Sequence, residues 1–171
     1  MGQTMDFEAW LAQVPGAVKR SPLWQTQYYR LALYLYDLVW SDSEAMLRDV
    51  RGRDLARQMV RSSGSLCANV EEAYGRGIGS ADGLRVLRIA LGEARELQGW
   101  YLRARYLLGD EVMEHRIAIV ERVIVMLSRA INAHPARRKL SSPEIRLHKN
   151  FPSPYQINPN IWAGVAYPRE R

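Results

Sequence analysis

Apolar residues recur at three- and four-residue spacing through four long stretches of the chain, the repeat of an amphipathic helix. In the first, Trp24, Tyr28, Leu31, Leu35, Leu38 and Val39 share a face after Ser21-Pro22, a cap residue followed by a proline suited to a first helical turn. Asp42 and Ser43 are expected to end it. The second, from about Arg51 to Tyr74, carries Leu55, Met59, Ser62, Leu66, Asn69, Val70 and Ala73 on one stripe. That stripe is rich in small and polar residues, which lets a neighbouring backbone approach closely at some cost in helix propensity. Gly75-Arg76-Gly77-Ile78-Gly79 stops it.

Ser80 is the expected N-cap of the third stretch, with Asp82 in its first turn. Leu84, Leu87, Leu91, Ala94, Leu97, Tyr101, Ala104 and Leu108 form its core face. Gly109-Asp110 is too short to separate neighbours, so the third and fourth stretches should be antiparallel. The fourth runs from about Glu111 to Ala133, with Val112, Ile117, Val120, Ile124, Leu127 and Ile131 inward, and His134-Pro135 closes it. A short helix is expected at Asp6 to Gln13, where Phe7, Trp10, Leu11 and Val14 share a face.

These elements predict an all-α protein: an up-down-up-down antiparallel four-helix bundle over residues 21–134. Residues 1–20 form an N-terminal arm, and residues 135–171 a proline-rich extended C-terminal tail that is also basic. The tail holds six prolines and no periodic stretch long enough to pack as another helix.

Charge sharpens this division. From residue 134 onward there are seven basic and two acidic side chains, so the tail holds five of the six net positive charges. A basic extension is a handle for phosphate backbones or acidic partners, and equally a solubilising tail. No apolar run reaches membrane-spanning length, and the N-terminal residues carry Asp6 and Glu8 without the apolar core of a signal peptide. With Cys67 as the single cysteine, the expectation is a soluble, cytoplasmic protein.

A di-iron bundle needs Glu-x-x-His pairs, and His115, His134 and His148 each lack a glutamate three residues earlier. Gly75, Gly77 and Gly79 follow a helix and lack the Gly-Lys-Ser/Thr ending of a phosphate loop. Cys67 reads as a packed thiol, and Glu93 with Glu96 as partners for arginine. The expectation is therefore no enzyme: no catalytic residue, no metal and no cofactor.

Arginine use points elsewhere. Arg48, Arg51, Arg53, Arg57 and Arg61 crowd the start of the second stretch, Arg85 and Arg88 lie on the third, and Arg137, Arg138 and Lys139 open the tail. These ten are the candidate nucleic-acid contacts, since guanidinium suits bidentate binding of phosphate. Arginine-rich coding of ordinary solvated faces would leave the same pattern. On the second and third stretches, Ser65, Asn69, Glu72, Arg76 and Glu96 are expected to form a polar network that fixes helix register or an interface.

The run from Leu55 to Arg76 resembles the signature of the four-helix-bundle proteins encoded in 23S rRNA intervening sequences. Leu55, Gln58, Arg61, Ser65, Asn69, Glu72, Gly75 and Arg76 fall on that pattern, and Leu87 to Leu97 is similar to the family's next helix, with Glu96 at its glutamate. Leu23-Trp24-Gln25 is similar to its first. The resemblance covers about residues 22–132. Ala73 stands where the family usually has glycine and Glu71 where it has a small residue.

The resemblance implies a bacterial homo-oligomer, a ring of five, and kinship with the accessory variability proteins of diversity-generating retroelements, which associate with a reverse transcriptase and nucleic acid. The function expected is a non-enzymatic oligomeric adaptor for RNA or single-stranded nucleic acid. The alternative is a protein–protein module recruited to a reverse transcriptase, or another nucleic-acid-processing enzyme, through the tail.

Overall fold

The computed structural model describes residues 6–134. The expected tail, with Arg137, Arg138 and Lys139, lies outside the described residues. Within them the fold is all-helical: α1 (Phe7–Gln13), α2 (Gly16–Lys19), a 3-10 turn at Pro22–Gln25, then four long helices, α3 (Gln27–Met46), α4 (Gly52–Gly75), α5 (Ala81–Leu108) and α6 (Asp110–Ala133).

Local chemistry explains most boundaries. Asp6 caps α1 by accepting from the Ala9 amide, and Ser80 caps α5 by accepting from the Gly83 amide. Gly77 and Gly109 adopt φ of +84° and +82°, and Gly109 alone links α5 to α6. Ser21 does cap a turn at Pro22, accepting from the Leu23 amide, but that turn is 3-10 and α3 begins only at Gln27.

The expected stop at Asp42 and Ser43 is also corrected, because α3 runs on to Met46 with both residues buried inside it. Ser43 turns its hydroxyl onto the Trp40 carbonyl at 2.6 Å, a bond a serine makes without leaving the helix. Asp42 finds partners on two other helices, described below.

α3 packs against α4 and α6, α4 against α5, and α5 against α6. Successive contacts show opposed directions. Along α3 and α4, Tyr29 meets Glu71 and Tyr36 approaches Gly64. Along α4 and α5, Gly52 backs onto Leu107, Arg61 meets Glu96, and Ala73 lies against Gly83. Both glycines sit where a side chain has no room. A Cβ would fall 2.1 Å from the Met46 carbonyl oxygen at Gly52 and 2.1 Å from that of Gly77 at Gly83.

The core joins the inward faces of all four long helices, with Leu35, Met59, Leu66, Leu87, Leu97 and Leu127 fully enclosed. The α6 stripe is rotated from the expected one. Ile119 and Val123 are deeply buried with Val120, Leu127 and Ile131, whereas Val112, Ile117 and Ile124 are half-buried flanks. The run is apolar on nearly every side here, so spacing alone does not choose the inner face. Residues 6–20 share this core: Trp10 is buried against Trp24 and Tyr34, and its indole N–H donates to Asp37 at 2.6 Å. No described helix is long and apolar enough to cross a membrane.

Candidate functional site

The candidate arginines between Arg48 and Arg88 fall into two groups. Four have acidic partners. Arg51 holds Asp49 beside it, Arg57 lies 3.5 Å from Asp54, Arg85 grips Asp82, and Arg61 reaches across to Glu96 and, at 3.8 Å, Glu93. The Arg51 guanidinium and amide hold the Asp49 carboxyl down to about 2. Arg48, Arg53 and Arg88 are exposed and meet no acidic side chain among the described residues. A guanidinium without an internal partner keeps its donors for an outside anion, whereas a paired one must first exchange a carboxylate.

The expected polar network separates into three local clusters. Asn69 folds its amide back on Ser65, donating to the carbonyl at 2.8 Å and the hydroxyl at 3.1 Å. Glu72 accepts from Arg76 one turn on, and Arg76 also bonds Asp82, which bonds Arg85. This surface chain of four charges straddles the α4–α5 turn. Arg76 and Arg85 hold the Asp82 carboxyl below its ordinary range.

The third cluster centres on Glu96. Its Oε1 accepts from the Trp100 indole at 3.0 Å and from Arg61, whose Nε also donates to Gln58 at 3.0 Å. The Trp100 bond, then the Arg61 guanidinium, lower the Glu96 carboxyl. Arg61, expected as a nucleic-acid contact, is thus the partner of Glu96, a residue expected in the polar network.

Sequence reasoning missed two groups. On α5, the Arg103 guanidinium lies 4.8 Å from the Trp100 ring centre and Arg105 lies 4.6 Å from that of Tyr106, which is 81% exposed. Each pair offers a flat cation–aromatic surface. Their signals were the three-residue spacing of Trp100 and Arg103 and the adjacency of Arg105 and Tyr106.

The second missed group is buried. Asp42 Oδ2 accepts from Arg116 Nε at 2.9 Å and from the Tyr101 hydroxyl at 3.0 Å, while Oδ1 accepts from Arg116 Nη2 at 3.0 Å. One carboxylate so ties α3 to α5 and α6. Burial, then the Asp42 charge, push the Tyr101 phenol well above its ordinary value. Arg116 Nη1 donates to His115 Nδ1 at 2.7 Å, and burial, then that cation, lower the imidazole.

Asp42 and Arg116 of this cluster line a cleft of about 890 Å³ that also reaches Trp10, Asp37 and Leu108. Both carboxylate oxygens are engaged, the phenol holds its proton and the guanidinium is bonded on three nitrogens, so the arrangement holds helices in register. Cys67 behaves as a packed thiol, with burial pushing it up to about 12. No group of three His, Cys, Asp or Glu side chains able to hold a metal ion occurs among the described residues.

A further groove of about 320 Å³ lies between α3 and α4. Trp40, Leu47 and Val60 line it, with Arg53 and Arg57 on the α4 side.

Compared with known proteins, the chain matches no curated protein and no solved structure. One family model does match. It covers residues 25–129, from the end of the 3-10 turn to most of the way along α6, and so takes in the three polar clusters, the buried ion pair and every described arginine considered as a candidate contact. The chain belongs to the 23S rRNA-intervening sequence protein family.

Proposed function

We propose that this protein is a non-enzymatic, self-associating adaptor that binds RNA or single-stranded nucleic acid. Its scaffold is read as an up-down-up-down antiparallel four-helix bundle, supported by the opposed directions of successive long helices. The observation that carries the binding reading is a set of exposed arginines without acidic partners among the described residues: Arg48 in the α3–α4 turn, Arg53 on α4 and Arg88 on α5. The five net positive charges from residue 134 onward add to them. Phosphate contacts of this kind act by releasing counterions, so binding is salt-sensitive and weakly sequence-selective. The Arg103–Trp100 and Arg105–Tyr106 pairs would supply flat surfaces for bases.

The test is fluorescence anisotropy of a short labelled single-stranded RNA with nuclease-treated protein at low and moderate salt. Affinity should fall steeply with salt, and each of Arg48→Ala and Arg88→Ala should lower the log–log salt slope by about one. No binding at low salt would sink the reading.

A second reading is a protein–protein module accessory to a reverse transcriptase or another nucleic-acid-processing enzyme, as in the accessory variability proteins. The exposed pair Leu102 and Tyr106, one turn apart on α5, favours it. Removing residues 135–171 would then abolish partner capture while leaving the helical circular dichroism signal per residue of residues 6–134 intact.

A further inference from the structure

Residues 10–18, α3, the end of α5 and the start of α6 leave between them the cleft of about 890 Å³. That size falls in the range of about 300–1,000 Å³ typical of sites that enclose a small ligand. Its walls are mainly apolar, with Leu33, Leu38, Leu108 and Val112 beside Trp10 and Tyr34. Two polar groups on those walls keep unused hydrogen-bonding capacity. Arg116 has five N–H donors and makes three hydrogen bonds, two to Asp42 and one to His115. Asp37 accepts from the Trp10 indole through Oδ2, and its Oδ1 accepts no hydrogen bond among the described residues. A donor and an acceptor set in apolar walls suit a flat, apolar body that carries both functions on its edge. An unstacked nucleobase has that form.

Charge separates a base from other occupants. The lining holds three carboxylates, Asp37, Asp42 and Glu44, against two guanidiniums, Arg48 and Arg116, and Asp42 already cancels Arg116. The interior therefore disfavours an anionic head such as a fatty-acid carboxylate. A purely apolar ligand would leave Asp37 and Arg116 without a new partner in a site it had dried.

The unpaired cations stand at the two ends of the cleft. Arg48 lies just beyond α3, exposed and with no acidic partner among the described residues. At the other end, Arg30 is three and four residues before Leu33 and Tyr34 and shares their helical face. Its Nε is buried with no hydrogen-bond partner among the described residues, a state native structures seldom leave unexplained. From Arg30 to Met46, the last residue of α3, the helix rises about 24 Å. One nucleotide cannot touch both arginines, whereas separate phosphates of one strand can.

We propose that this cleft holds one unstacked base of single-stranded RNA, with phosphates on either side of it at Arg30 and Arg48. The base lies between the apolar walls, its edge donates to Asp37 Oδ1 and accepts from Arg116, and the Asp42–Arg116 bonds stay in place. The site rests on the nucleic-acid reading of the proposed function and adds to it a base pocket and a further phosphate contact, Arg30.

The experiment is fluorescence anisotropy on the full chain at low salt, with a short labelled oligouridylate and an abasic strand of the same length and charge. Wild type should hold the oligouridylate about tenfold more tightly. Ser41 and Ala45 are exposed residues of the cleft wall on α3, so Ser41→Trp and Ala45→Trp each fill the space without removing a core side chain. Circular dichroism checks their folding. Each filled variant should lose most of the preference while holding the abasic strand as wild type does. Filled variants that keep the preference would overturn the cleft as the base site and leave RNA binding standing, with bases held elsewhere. Filled variants that weaken both strands equally would overturn it too, since phosphate contacts alone were disturbed. A wild type that holds both strands equally well recognises no base, which sinks the pocket and spares the electrostatic reading. If neither strand binds, the nucleic-acid reading and the pocket fall together.

Discussion

Arginine meets carboxylate in two very different settings in this molecule. At Asp42–Arg116 the side chains are 8% and 4% exposed, held by two parallel hydrogen bonds, with Tyr101 on the remaining lone pair. Around the α4–α5 turn, Glu72, Arg76, Asp82 and Arg85 are bonded in a chain with every partner roughly half in water. The chemistry is shared and the energetics are opposite. In the dry site neither charge can be removed without stranding the other, whereas at the surface water replaces whatever partner is lost. The buried pair enforces one arrangement of α3, α5 and α6, and the surface chain decorates a turn held by other means.

Breaking the dry pair should have the largest effect. Arg116→Met leaves Asp42 buried and unpaired and should cost about 3–5 kcal/mol in urea unfolding. The combination Asp42→Leu, Arg116→Met and Tyr101→Phe removes every polar partner together and should recover most of that loss. If the triple variant is no more stable than Arg116→Met alone, the loss is not that of an orphaned charge.

Gly83→Ala tests what does hold the turn. Its Cβ would press on the Gly77 carbonyl, a backbone group that moves only with the turn, so a loss of about 1–3 kcal/mol is expected. That loss should exceed the effect of any single charge removed from the surface chain above it.

Acidity separates the two settings further. The His115 imidazole is depressed in the fold by burial and by Arg116, so the unfolded chain binds its proton more readily. Its contribution should be complete above the ordinary value of 6.5 and lost as pH falls below it, and His115→Gln should flatten that part of the stability–pH curve. Asp82 is also depressed, and its contribution should be present above the ordinary 3.8 and fade as pH falls through its lower folded value. The smallest effect belongs to Arg76→Ala. The urea midpoint should move within experimental error at moderate salt and only slightly at low salt, because the exposed pair is screened.

The long helices were legible because a 3.6-residue repeat of Leu, Val and Ala survives in their sequence, and so was the Ser80 cap, whose partner is three residues away. The buried ion pair was not legible. Asp42 reads as a helix stop because the partners that excuse it stand 59 and 74 residues further on. Ser65, Asn69, Glu72, Arg76 and Glu96 were expected to act as one network, and their division was hidden: Asn69 turns to its own helix while Arg61 crosses to Glu96 on α5. Spacing shows which residues share a face and is silent on which neighbour each will choose. The groove between α3 and α4 was equally hidden, since Trp40 lies on the edge of a stripe whose centre is Leu35 and Val39.

The two crowded glycines have a mechanical consequence. Gly52 opens α4 against the Met46 carbonyl, and Gly83, just beyond its far end, is jammed against the Gly77 and Ala73 carbonyls. A one-turn ratchet of α4 past α3 or α5 would have to open one of these close turns, so tilt or rotation of the whole helix would disturb less of the backbone than a slide.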